Sequence, residues 1–232
     1  MIYSTEAVVL KSNPYGEADL IVTYFTKDYG LINLFAKSPR KIKSRFGSSF
    51  EPLTYAKIAF VGNNEKLQKI IQSDIIHSFH SIRENYHVFM AVGEVLRFLL
   101  MIIPRKEPHE ELFSLFISSL EFIEKEKKTE NALLSLKIKS LRILGYLPDF
   151  KHCGKCKDKL NGEFFYSDGF ILCKKCISSH SKLILSQGAA KLLNDINGWQ
   201  LKYLSRVKIA PQLFRELEEF IKKHIQSILS YN

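Results

Sequence analysis

Tryptophan, methionine, cysteine and acidic residues are all scarce in this 232-residue chain, with one Trp, three Met, four Cys and 24 Asp plus Glu against 34 Lys plus Arg. Long apolar runs are scarcer still. The most apolar stretch, Phe89 to Ile103, is short for a bilayer and holds Glu94 and Arg97, each costing roughly 2.5–3.5 kcal/mol at a membrane centre. A core helix is expected there, and no membrane partner. No basic start followed by an apolar run and a small-residue cleavage site is read, so a cytoplasmic protein is expected. In a reducing compartment four cysteines suit a metal better than disulfides. There is no Walker A glycine loop, HExxH, GxSxG elbow, GxGxxG after a strand or base-deaminase signature, and a non-enzyme is expected. Ser179-His180-Ser181 sets a hydroxyl beside an imidazole, but sequence neighbours rarely form a catalytic pair, and a solvated loop is the ordinary reading.

What the chain does have is positive charge. Its formal net charge is +10 and its pI is near 9.3. The excess sits in residues 1–80 and 151–232, while residues 81–150 balance. Clustered Lys and Arg release counterions from phosphates, so nucleic acid leads the possible partners, although a basic surface also serves solubility alone.

Hydrophobic periodicity divides the chain. Tyr3 to Leu10, Leu20 to Thr26, Leu31 to Ala36, Leu53 to Val61 and Leu67 to Phe79 read as five strands. Turn chemistry falls at Lys27-Asp28-Tyr29-Gly30 and Gly62-Asn63-Asn64. Five short strands in about eighty residues fit a small OB-type barrel, with an SH3-like barrel as the alternative of equal count. From Tyr86 the period moves toward 3.6, with Val88, Val92, Val95, Leu96 and Leu99 on one stripe ending before Pro104. Helices are expected over Glu110 to Glu124, Asn131 to Leu144 with Gly145 as its cap, Ser186 to Asn194 with Ser186 as N-cap, and Pro211 to Leu229. Glu216, Glu218 and Glu219 amid Lys222 and Lys223 read as an exposed, salt-bridged face. The fold class expected is α+β and multidomain. It has an OB-type nucleic-acid-binding domain over 1–80, a helical domain over 81–150 and 181–232, and an inserted zinc-ribbon-like module over 151–180.

Cys153-Gly154-Lys155-Cys156 and Cys173-Lys174-Lys175-Cys176 give a CxxC-x16-CxxC spacing, which offers four thiolates tetrahedrally from two knuckles. Phe164 to Leu172 between them reads as a hairpin turning at Asp168-Gly169. Four sulfur ligands leave no open position for water, so one structural Zn²⁺ is expected on Cys153, Cys156, Cys173 and Cys176. A redox dithiol would need a thioredoxin-like strand–helix context, which is missing, and iron could use the same thiolates. His152 and His180 flank the knuckles, where a solvated or supporting role is expected.

Lys37-Ser38-Pro39-Arg40-Lys41-Ile42-Lys43-Ser44-Arg45-Phe46 holds five cations and no acid. Lys37, Arg40, Lys41, Lys43 and Arg45 are the candidate phosphate contacts, with Phe46, Phe35 or Tyr24 as possible stacking platforms and Lys174, Lys175, Lys222 and Lys223 as an extension. Aromatics at alternating strand positions are more often core.

The chain resembles the bacterial RecO family of DNA-repair and recombination mediators along nearly its whole length. The resemblance runs through Gly16-Glu17-Ala18-Asp19-Leu20, Thr26 to Gly30, the basic Lys37 to Ser44 and Phe50-Glu51-Pro52-Leu53. It continues through Leu144-Gly145-Tyr146-Leu147-Pro148, the two cysteine pairs and Leu185-Ser186-Gln187-Gly188-Ala189. Where members often carry a glycine in the basic loop, this chain has Ser38-Pro39. The resemblance implies an OB domain, a helical domain interrupted by a zinc ribbon, and no catalysed covalent chemistry. It also implies binding of single- and double-stranded DNA, annealing of complementary strands, nucleoid association, and cooperation with RecR and single-strand-binding protein so that RecA can load. An RNA- or ribosome-binding module is the rival on composition. A metal-dependent nuclease would need an open metal site or carboxylate cluster that the sequence does not offer.

Overall fold

The computed structural model describes residues 1–39, 48–62, 67–127, 129–177, 183–204 and 206–230. It forms two compact units, residues 1–125 and 126–232.

In the first unit, β1 (Ile2–Tyr15), β2 (Asp19–Thr26), β3 (Gly30–Ala36), β4 (Tyr55–Val61) and β5 (Gln68–His77) close a barrel in the order β1-β2-β3-β5-β4. All neighbours are antiparallel except β3 and β5. This five-stranded closure is the OB arrangement expected from the sequence. β1 makes it possible by its length. Residues 2–8 pair with β4 and residues 7–15 pair with β2, with a bulge between Val9 and Lys11 where the strand turns the corner. Strand alternation fills the interior with Ala7, Val9, Val22, Tyr24, Leu34, Ile58, Phe60 and Ile70.

The β2–β3 turn shows why its motif reads as it does. Thr26 Oγ1 donates to the Gly30 carbonyl at 2.8 Å and accepts the Tyr29 N–H at 3.0 Å, while Thr5 Oγ1 donates to Asp28 at 2.6 Å. Gly30 has φ +63°, and a Cβ there would lie 2.0 Å from the carbonyl oxygen of Glu107, so only glycine fits.

After the barrel come α1 (His80–Glu84), α2 (Tyr86–Ile102) and α3 (Glu110–Glu126). Asn85 caps α2 by accepting the Val88 N–H. Val92, Val95, Leu96, Phe98 and Leu99 are buried on its inner stripe. Phe25 points out of the barrel and is nonetheless fully buried, because Phe113 of α3 meets it edge-on with centroids 5.4 Å apart.

In the second unit, α4 (Glu130–Ile143) is buried along most of its length. Gly145, at φ +72°, ends it, with the Tyr146 N–H returning to the Leu141 carbonyl. A three-stranded sheet follows, ordered β7-β6-β8, from β6 (Phe164–Ser167), β7 (Phe170–Leu172) and β8 (Leu183–Leu185). Asp168 and Gly169 both have positive φ, as a two-residue hairpin turn requires. Then come α5 (Gln187–Asp195), a 3-10 turn (Ile196–Gly198), α6 (Leu201–Leu204) and α7 (Pro211–Ser230). Ser186 Oγ caps α5, accepting the Ala189 N–H at 3.1 Å.

His224 of α7 ties the unit together. Its Nε2–H donates to the Tyr146 carbonyl at 2.6 Å, so its Nδ1 accepts the Tyr166 hydroxyl at 3.0 Å, and the ring stacks on Phe220. Burial holds its pKa below the ordinary histidine value against that carbonyl bond.

The acidic trio on α7 departs from the expected exposed face. Glu219 does pair with Lys223 along the helix. Glu218 instead reaches Lys137 of α4 at 2.7 Å, and Glu216 accepts from the backbone N–H and hydroxyl of Ser186.

Candidate nucleic-acid interface and metal centre

Register decides which barrel residues face solvent. Paired residues share a face, so Lys11, Thr23 and Asn33 form one outward row, and Asn13, Ile21, Phe35 and Lys69 form the next. Thr23 Oγ1 donates to Asn33 Oδ1 at 2.9 Å within the first row. Tyr15, at the end of β1, stands edge-on to Phe35 with centroids 6.0 Å apart and is 56% exposed. Lys69 pairs with Phe35, Lys37 follows it by two residues and Lys11 stands on the neighbouring row; all three are exposed, and Phe35 is half-buried. Two aromatic rings and three cations on one face match what a single strand needs, namely faces for bases and charge for phosphates. Oligonucleotides bind OB barrels on the face of the second and third strands.

Of the aromatics expected as stacking platforms, Phe35 lies on this face. Tyr24 does not, because alternation turns it into the barrel core, where it is fully buried. Phe46 lies outside the described residues, as do Arg40, Lys41, Lys43 and Arg45. Lys37 is described and exposed. Lys11, Tyr15 and Lys69 were not picked out by sequence reasoning. The first two lie beyond Leu10, where β1 was expected to end. Pro14 is accommodated where β1 pairs with β2 alone, its other edge carrying no partner strand.

Both ends of the basic segment are pinned. The Ser38 N–H donates to Asp19 Oδ1 at 2.6 Å, and Ser38 takes φ +55°, a conformation that favours glycine. On the far side of residues 40–47, Ser12 Oγ donates to the Phe50 carbonyl at 2.5 Å. Arg83 forms an ion pair with Glu51 at 3.1 Å and donates to the Pro52 carbonyl, and the Leu53 N–H donates to the Val9 carbonyl at the bulge. These bonds give physical reasons for Asp19 in the first motif and for Glu51-Pro52-Leu53 in the fourth.

The four cysteines come together as their spacing predicts. The Sγ atoms of Cys153, Cys156, Cys173 and Cys176 all lie within 4.8 Å of one another. Cys156 and Cys173 Sγ are 3.8 Å apart, about the edge of a tetrahedron with Zn–S bonds of about 2.3 Å and far beyond the ~2.05 Å of a disulfide. Two tight turns present them. The Lys157 N–H returns to the Cys153 carbonyl at 3.0 Å, and the Cys176 N–H returns to the Cys173 carbonyl at 3.0 Å. Gly154 lets β7 approach, since a Cβ there would meet Phe170 at 2.8 Å.

Burial pushes the Cys153 thiol up, but the backbone N–H groups of Cys156, Cys173 and Lys155 outweigh it and hold it down at about 6. The Cys156 thiol is pushed up to about 12: the Asp158 backbone favours its thiolate, but burial and the neighbouring sulfurs oppose it. A group of sulfurs that cannot all ionise together is one that a cation would complete. The cluster is a candidate metal site. His152 turns away to Asp149, with Nδ1 2.9 Å from its carboxylate, and His180 lies outside the described residues. Lys174 and Lys175 are exposed beside the knuckle.

Comparison with known proteins identifies the family of the whole chain. Residues 1–79 match the family model described as recombination protein O N terminal, and residues 83–230 match recombination protein O C terminal. A curated relative from Thermodesulfovibrio yellowstonii, named DNA repair protein RecO, is 58% identical over 238 residues, covering 100% of this chain and 95% of that protein. Proteins of the same name from Dehalococcoides mccartyi and Bacillus pumilus are each 28% identical, over 98% and 95% of this chain and 90% and 87% of theirs.

Proposed function

The chain belongs to the RecO family of DNA repair proteins, and from that premise we propose that it is a non-catalytic mediator that binds single- and double-stranded DNA through its barrel. The observation that carries this is the exposed face on which Tyr15 and Phe35 stand among Lys11, Lys37 and Lys69. Cations there neutralise phosphates without reading sequence, and the rings take bases of any identity, which suits a protein that must act wherever DNA is damaged. Arg40, Lys41, Lys43 and Arg45 extend the track from the segment pinned between Asp19 and Ser12.

Holding two strands on such a face without base readout is also what annealing asks, because complementarity is then tested by the strands themselves. In this reading the protein acts with RecR and single-strand-binding protein to let RecA load, in the cytoplasm at the nucleoid. Among the described residues no helix is long and apolar enough to cross a membrane. The four cysteines hold one Zn²⁺, which fixes the ribbon and supplies no reactive position, since all four ligands come from the protein.

Binding of fluorescent single-stranded DNA across a salt series tests the interface. With Lys11, Lys37 and Lys69 changed to Ala, affinity drops and the slope of log K against log salt flattens by about 2, at about 0.7 per lost phosphate contact. An unchanged slope removes the face from the track. Failure of the unaltered protein to bind removes the DNA-binding reading itself.

A further inference from the structure

A crevice of about 410 Å³ opens in the barrel wall beside β3 and serves no part of the face just described. It exists because β3 has two different partners on one edge. β5 pairs with it only at Leu34–Gln68 and Phe35–Lys69. Further back, Leu31 bridges Arg105, and the Leu31 carbonyl accepts the Lys106 N–H at 3.3 Å. Ile32 and Asn33 lie between these pairings, and the gap is the crevice. Gly30 permits the second pairing by letting the backbone of Glu107 come within the reach of its own missing Cβ.

The inner wall is aromatic. Tyr3 stacks on Phe60 at 5.2 Å and 18°, and Tyr29 stands edge-on to both, at 5.8 and 5.5 Å. The rim is polar. Asn33 commits its Oδ1 to Thr23, while its Nδ2 and the side-chain amide of Gln68 have no hydrogen-bond partner among the described residues. Arg105 is exposed and belongs to no ion pair among them. An apolar cavity of a few hundred Å³ with a few convergent polar groups is the usual form of a ligand site. Here the walls favour a flat ring, the Gln68 amide offers a donor and acceptor pair and Asn33 Nδ2 a further donor to meet a base edge, and the guanidinium suits a phosphate.

We propose that this crevice takes one everted nucleobase of a bound single strand, with its phosphate on Arg105. The proposal rests on the reading of the barrel as the DNA-binding domain. Asn33 connects the two sites, since it stands on the outward row through Thr23 and also on the crevice rim, so a strand crossing Phe35 can turn one base in at the other end of β3. An extended peptide fits less well, because the Leu31 carbonyl is already taken by Lys106 and no run of open backbone remains for a strand to pair with.

The test uses the full chain, a labelled oligothymidine and the same strand made with abasic units, with affinities from fluorescence anisotropy. The unaltered protein prefers the base-bearing strand. Asn33→Ala with Gln68→Ala weakens binding of that strand by roughly tenfold, the worth of one good edge contact, a loss larger than that on the abasic strand, and leaves the salt slope unchanged. Gln68→Leu alone, at a half-buried rim position, gives the same direction and guards against a folding defect in the double variant. Full base preference in both variants overturns the crevice assignment while leaving DNA binding intact. If the unaltered protein binds neither strand, the DNA reading of the barrel falls, and the crevice proposal with it.

Discussion

The barrel and the ribbon are both small β structures, yet they are held in different ways. The barrel has five strands of 7 to 14 residues, and every strand has a neighbour on each side along part of its length, so the backbone ladder closes on itself around an apolar interior. The ribbon has strands of four, three and three residues, open at β7 and β8. Strands that short bury too little to stand alone. Two features can supply the missing order, the cluster of four sulfurs as a candidate metal site and the Tyr166–His224–Tyr146 chain. Closure of a ladder makes a sheet robust to the loss of any one side chain, whereas a pinned sheet depends on its pins.

The strongest way to break this comparison is to add a chelator, which on the zinc reading proposed above strips the ion from the four cysteines. Finger-type sites contribute about 10–16 kcal/mol of apparent binding energy to folding, so chelation is expected to unfold the second unit while leaving the barrel's transition in place. Trp199 is the single tryptophan and lies in the second unit, so its fluorescence follows that unit and far-ultraviolet circular dichroism follows both. A chelated protein whose tryptophan midpoint does not move would show that the cysteines hold nothing structural.

The barrel's own weak point is backbone rather than side chain. Gly30→Ala forces a Cβ into the left-handed region and against the Glu107 carbonyl, and a loss of about 3 kcal/mol is expected. In urea unfolding this should move the barrel transition and leave the tryptophan-reported one alone. Equal movement of both would mean that the units do not unfold separately.

A smaller effect sharpens the account of the second pin. The folded state disfavours protonated His224, so its contribution is complete above the unfolded value of about 6.5 and is lost as pH falls through its depressed folded value. His224→Leu should cost about 2 kcal/mol by removing its bonds to the Tyr166 hydroxyl and the Tyr146 carbonyl, and should flatten the acid limb of the second unit's stability. On the proposed zinc reading, metal release adds to that limb, so the comparison is between the two proteins at matched zinc content. An acid limb of the same steepness in both would assign the pH dependence to the cysteines alone.

Much of this was readable from local chemistry. The five strands, the hairpin at Asp168-Gly169, the caps at Ser186 and Gly145 and the paired CxxC knuckles each depend on residues within a few positions of one another, and each occurs where the sequence places it, with β1 running five residues past its expected end. β8 escaped notice because three residues, Leu183 to Leu185, are too few to show a period. The exposed face escaped for a different reason. A slip of one residue exchanges the two faces of a strand, and the bulge between Val9 and Lys11 is such a slip. No reading of β1 by itself could send Lys11 and Tyr15 outward together with Phe35. Tyr24 fell the other way, into the core, on the same parity. Glu216 and Glu218 looked solvated beside Lys222 and Lys223 because their true partners, Ser186 and Lys137, are distant in the chain.

The sequence by itself determined the family, the order of the elements, the sign of the charge and the four candidate ligands of one metal, because these follow from residue type and short spacing. Only the tertiary structure decided which aromatics meet solvent, where a crevice opens beside β3, and that His224 ties the ribbon to α7 and the turn at Tyr146. Those outcomes depend on register, on barrel closure and on contacts between residues far apart in the chain, and a linear pattern carries no distance across such separations.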